Sequence, residues 1–114
     1  MALIVVLAGI ALAVYGSSQT RAREAVLKEN LFRMRDAIDQ YYADKNQYPP
    51  TLDDLVSQKY LRALPEDPFT NSASTWQTVM SEIDPANPSA IPGVFDVKSG
   101  AESMALDGSR YADW

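Results

Sequence analysis

From Leu27 onward the apolar positions recur in a fixed order, with Leu27, Leu31, Met34, Ile38 and Tyr41 separated by alternating steps of four and three. That period lines them along one face of an α-helix. The other face is charged, and Glu24–Lys28 and Glu29–Arg33 stand at the i,i+4 spacing that supports a helix. Upstream the pattern changes: Ala2 to Tyr15 carries no charge and is dominated by Val, Ile, Leu and Ala. Gly9 and Gly16 are tolerated in such a segment, and Pro49 is the first residue that a helix cannot carry. The pattern therefore predicts one helix from Ala2 to about Ala43, roughly 60 Å long. Gly16-Ser17 is the place where it is free to bend.

Beyond Tyr48-Pro49-Pro50 the elements are short. Thr51 is placed to cap a second helix from Leu52 to about Gln58, with Asp53 and Asp54 in its first turn, where the helix dipole favours them. The prolines of Leu61–Phe69 predict an extended segment. Thr75–Met80 and Gly93–Val97 alternate with aromatic and β-branched residues, as strands do. Between them Ile83–Pro92 holds three prolines and reads as a loop. The tail from Lys98 to Trp114 is turn-rich, with Ser99-Gly100 and Asp107-Gly108. The expected class is α+β: a long N-terminal helix packed on a small head with a short antiparallel sheet. The chain divides into an apolar half of the helix (1–20), an amphipathic half (21–45) and a globular head (46–114). Trp76, Phe95, Tyr111 and Trp114 are expected as core or lid aromatics of that head.

Charge and composition narrow the functions open to such a chain. Residues 1–35 hold five basic side chains (Arg21, Arg23, Lys28, Arg33, Arg35) against Glu24 and Glu29, a net of +3, so residues 36–114 hold −8 of the total −5. An acidic head argues against nucleic acid as a partner, which calls for a basic footprint. Histidine and cysteine are absent, which removes the commonest general base, the thiolate nucleophile and any disulfide. No Gly-rich phosphate loop or nucleophile elbow is present, and capping explains Asp53-Asp54. An enzyme is not expected. The apolar run is 15 residues long before Gly16, short of the roughly 20 that a spanning helix needs. No basic residue precedes it, as one would in a secretory signal.

Three stretches carry a family resemblance. AIDQYYADKNQYPPTLDDL (37–55) resembles the helix end and following loop of type IV pilin-like proteins, in particular the major (G-type) pseudopilins of type II secretion systems. LPEDPF (64–69) is similar to that family's Leu-Pro-x-Asp-Pro-aromatic signature, and FDVKSG…ALDGSRYADW (95–114) to the C-terminal loop of a subset of its members. The resemblance implies a pilin-like fold and a subunit of a helical homo-oligomeric filament, the periplasmic pseudopilus. That filament drives protein export together with minor pseudopilins and an inner-membrane assembly platform. It also implies a single-pass inner-membrane protein before assembly, with a methylated N-terminus and its head in the periplasm. Under it Met1 falls inside the mature helix, and about nine more apolar residues would complete the roughly 20-residue span. Positive-inside reasoning alone would instead keep Arg21 and Arg23 cytoplasmic. Those arginines read either as a membrane-edge anchor or as a solvated face. The N-terminal half of the apolar stripe is expected against neighbouring subunits, its C-terminal half against the head. A type IV pilin for adhesion or motility, and a membrane-tethered periplasmic binding module, are the alternatives; the lack of cysteine favours the pseudopilin.

The resemblance further implies a calcium ion in the C-terminal loop. Ca²⁺ takes six to eight oxygens at about 2.3–2.6 Å, and here Asp107 is the first candidate ligand, followed by Ser99, Ser109 and Asp96. A second reading stays open, in which the aromatic end from Tyr111 to Trp114 folds back and pins the loop while Asp107 caps a turn. For LPEDPF the expectation is structural: Pro65 and Pro68 shape a turn, and Asp67 bonds local backbone.

Overall fold

A computed structural model describes residues 2–82, 86 and 92–114, with residues 2–15 as backbone alone. Helix α1 runs Ala2–Lys45 without a break, two residues beyond the expected end. It stops where Asn46 turns left-handed at φ 55 and donates its N–H to the Tyr42 carbonyl at 2.8 Å. Asn tolerates that conformation, and Pro49-Pro50 prevents any resumption. Among the described residues no helix is long and apolar enough to cross a membrane. The expected loop Ile83–Pro92 falls almost wholly outside the described residues.

The stripe read from the sequence is the core. Leu27, Leu31, Met34, Ile38 and Tyr41 are all buried, joined by Leu52, Leu55, Trp76, Val94, Val97 and Tyr111 of the head. Leu27 corrects the expectation that the N-terminal half of the stripe faces other subunits, since it is fully buried within its own chain. The C-terminal loop reaches up the helix far enough to cover it.

Helix α2 (Asp53–Ser57) is a residue shorter at each end than expected, and its cap is inverted. Leu52 occupies the N-cap with no side-chain bond. Thr51 is a donor: its N–H and Oγ1 reach Asp54 Oδ2 at 3.0 and 3.1 Å. This is the acidic half of a capping box without the hydroxyl half. The helix closes on Lys59 at φ 68, with the Lys59 and Tyr60 N–H groups on the Val56 and Leu55 carbonyls, a Schellman end with a side chain where glycine is usual.

Strands β1 (Gln77–Met80) and β2 (Val94–Lys98) pair antiparallel, from Gln77↔Lys98 to Met80↔Val94. The register shifts between Val79 and Met80, which leaves Phe95 as the extra residue of a bulge. Phe95 therefore turns outward and is 43% exposed, with its ring 6.2 Å from that of Tyr48, so of the two expected places, core or lid, it does not take the core. Two glycines let the sheet approach its neighbours. A Cβ on Gly100 would stand 2.1 Å from the Thr75 carbonyl oxygen, and one on Gly93 2.5 Å from that of Tyr48.

Both backbone findings make predictions measurable by urea unfolding. Gly100→Ala must push two main-chain segments apart and costs roughly 2–4 kcal/mol. Lys59→Gly relieves a left-handed side chain and raises stability by about 1 kcal/mol. A Lys59→Gly protein no more stable than its parent would remove the strain argument.

Candidate functional site

The seam between α1 and the C-terminal loop gathers most of the polar chemistry. Four helix positions, Glu24, Lys28, Leu31 and Arg35, follow one another at steps of four, three and four, beside the apolar stripe. Each meets the loop. Glu24 Oε1 accepts the Leu106 N–H and the Tyr111 hydroxyl, both at 2.9 Å. Arg35 donates from Nε to Asp96 Oδ1 at 2.8 Å and from Nη2 to the Val97 and Trp114 main-chain oxygens at 3.0 and 2.9 Å. Lys28 Nζ stands 4.8 Å from the centre of the Trp114 ring, within cation–π range. Glu24 and Lys28 thus do not form the expected i,i+4 pair, because better partners on the loop compete for both. Glu29 and Arg33 do form theirs, at 3.0 Å.

The loop itself is a small hairpin in which Met104 bridges Arg110. Gly108 sits at φ 88 in its turn and donates to the Ala105 carbonyl. Asp107 Oδ1 accepts both the N–H and the hydroxyl of Ser109, at 2.9 and 2.5 Å. These two bonds, with a smaller contribution from Lys28, hold its carboxyl below the ordinary range. Trp114 Nε1 donates to Ser109 Oγ at 2.7 Å, and Tyr111 lies between Phe69, stacked at 4.0 Å, and the edge of Trp114. Burial first, then the bond to Glu24, raises the Tyr111 phenol to about 12.

The structure brings two of the four candidate calcium ligands together and sends two elsewhere. Asp107 and Ser109 share the turn just described. Asp96 is engaged by Arg35. Ser99 is fully buried beneath the loop, where its hydroxyl donates to Asp67 Oδ2 at 2.5 Å. Asp67 is itself fully buried and takes the Phe69 N–H on its other oxygen at 2.9 Å, so LPEDPF forms the expected turn and also anchors the C-terminal loop. Among the described residues no group of three or more His, Cys, Asp or Glu is placed to hold a metal ion. Of the four candidates only Asp107 and Ser109 share a turn; Asp96 and Ser99 are held by other partners. The aromatic end instead folds back onto Ser109, as in the second reading of the tail.

Glu24 and Arg35 are the residues that sequence reasoning missed. Their signal was the three/four spacing that continues the apolar stripe along its edge, where a charge has apolar neighbours and a nearby head to meet. Beside them an open groove of about 430 Å³ is lined by Lys28, Leu31, Phe32, Arg35, Asp107 and Trp114. Comparison with protein-family models, with curated proteins and with solved structures returns no match.

The clamp makes three measurable demands. Removing the guanidinium in Arg35→Ala strands Asp96 and two carbonyls, and costs roughly 2–3 kcal/mol in urea unfolding. In alkali the folded Tyr111 keeps its proton to about 12 while the unfolded phenol, at the ordinary value of 10.0, loses it. The stabilisation is complete below pH 10 and disappears as the pH climbs from about 10 to about 12, because the folded state binds more protons there. Tyr111→Phe flattens that alkaline limb. Finally, millimolar calcium followed by excess chelator leaves the melting temperature unchanged, since a native-state ligand would have to raise it. A calcium-dependent rise abolished by Asp107→Ala would restore the metal.

Proposed function

We propose that this chain is a structural subunit of a periplasmic pseudopilus, assembling by its N-terminal helix and driving protein export through a type II secretion system. The observation that carries the reading is the division of α1. Its C-terminal half supplies the core of the head from Leu27 to Tyr41. Its backbone continues upstream of Leu27 for about seven more turns, drawing the molecule out to 73 Å against widths of 27 and 20 Å. A small head has no use for such a rod by itself, whereas copies stacked side by side bury it. The three stretches quoted above support the same family. In this reading the apolar segment rests in the inner membrane before assembly and in the filament afterwards, with the head in the periplasm. Minor pseudopilins and the inner-membrane platform are the partners. The function is mechanical, and no residue is assigned a catalytic role.

The test is assembly. Expressed behind a prepilin leader, beside a prepilin peptidase and an assembly platform, the protein forms fibres that bind antibody to the head, and their number rises with expression. A folded head that remains monomeric in the membrane at every expression level overturns the filament and favours a tethered binding module.

A further inference from the structure

One aromatic group of the head stays at the surface. Val94 and Val97 are both buried although three residues apart, which strict alternation forbids; the bulge reconciles them by turning Phe95 out. The Phe95 ring stands 6.2 Å from that of Tyr48, at 59° to it, and Tyr42 lies against Tyr48 at 4.5 Å. Tyr42 (43%), Met80 (48%) and Phe95 (43%) are all exposed. Large apolar side chains shown to water together, rather than singly, mark a contact surface. Tyr48, Val79, Met80, Glu82 and Phe95 line an open pocket of about 410 Å³, within the roughly 300–1,000 Å³ of ligand sites.

The pocket has one electrostatic sign. Aromatic faces are negative, and Tyr48 and Phe95 supply two of them at an angle. Glu82 is exposed and has no ionic or hydrogen-bond partner among the described residues. No basic side chain lines the space, and residues 36–114 together hold −8, a field that draws in cations.

We propose that this pocket takes an arginine side chain of a basic partner protein. A guanidinium is planar and weakly hydrated, so it can lie on a ring face and still donate to a carboxylate at its edge. The rings of Tyr48 and Phe95 form the wall, Met80 and Val79 receive the aliphatic stem, and Glu82 closes the site on the charged head. Tyr42 lies 27 residues beyond Tyr15, roughly 40 Å along α1, so the pocket stands far from the apolar run. The choice of a protein over a cationic lipid headgroup rests on the membrane placement proposed above; the cation site itself does not.

The test is a titration of the full chain in a non-ionic detergent, read by nuclear magnetic resonance at the Met80 methyl and the Phe95 ring. N-acetylarginine methylamide moves both signals saturably, and its neutral isostere N-acetylcitrulline methylamide binds roughly threefold more weakly or worse. Glu82→Gln lowers arginine affinity about twofold or more, and Phe95→Leu, which removes a ring from the surface, about threefold. Circular dichroism checks that both variants are folded. Arginine binding by a protein that forms no fibres leaves this site standing without the filament. Citrulline binding as tight as arginine overturns the cation site, as does the absence of any saturable shift. Shifts that follow protein concentration without the probe assign the pocket to a second copy and overturn the partner. Phosphocholine vesicles that move Met80 where the arginine probe does not overturn it in favour of a lipid headgroup.

Discussion

A two-stranded sheet cannot bury its own inner face, and the structure is organised around that shortfall. A lone hairpin is marginal in water. Strand β2 has Val94 and Val97 fully buried and no second sheet to cover them. Helix α1 is the missing layer. Leu31, Met34 and Ile38 press against the strand, α2 closes one end through Leu55, and Tyr111 closes the other. Each fully buried aliphatic side chain contributes about 1.5–3 kcal/mol relative to exposure, so the head exists as a folded unit only while the helix lies across it. The bare glycines at 93 and 100 let the ends of β2 approach the Tyr48–Pro49 and Thr75 main chain.

Burial of apolar surface does not fix the angle of a rod on a small head, whereas directed polar contacts do. Arg35 fixes the C-terminal part of α1 to the sheet edge and to Trp114, Glu24 fixes the helix one turn above Leu27 to Leu106 and Tyr111, and Asn30 Nδ2 reaches the Glu66 carbonyl at 3.0 Å on another side. Asp67 and Ser99 join the two loops beneath. Among the described residues no buried side-chain nitrogen or oxygen is left without a partner, so the polar atoms around the core cost little desolvation.

What the sequence made legible follows from periodicity. The helix and its core face repeat at a regular interval, and burial by a regular element writes that interval into the residues. The parts that escaped depend on pairs of distant positions. Glu24 looked like half of an i,i+4 pair because its spacing to Lys28 is local, while its true partners lie more than eighty residues away. For Phe95 the sequence left core and lid open, because alternation carries no trace of the bulge that turns it outward. Thr51 looked like a cap because Thr before two acids fits the rule, yet Thr51 and Asp54 satisfy each other with Thr51 as donor and Asp54 as acceptor. The tail depends on placement too: Asp107 and Ser109 share one turn, while Asp96 and Ser99 are engaged by Arg35 and Asp67. The protein-export role rests on resemblance and on the shape of the rod, not on any group the fold assembles.

The outer side of α1 carries solubilising charge of both signs, with Glu29, Arg33 and Asp36 all exposed there. The intrachain clamp uses Glu24, Arg35 and Asp96 on a different edge of the helix. One face of α1 therefore encodes the fold of a single copy, and the polar contacts along its edge fix how the head sits on it.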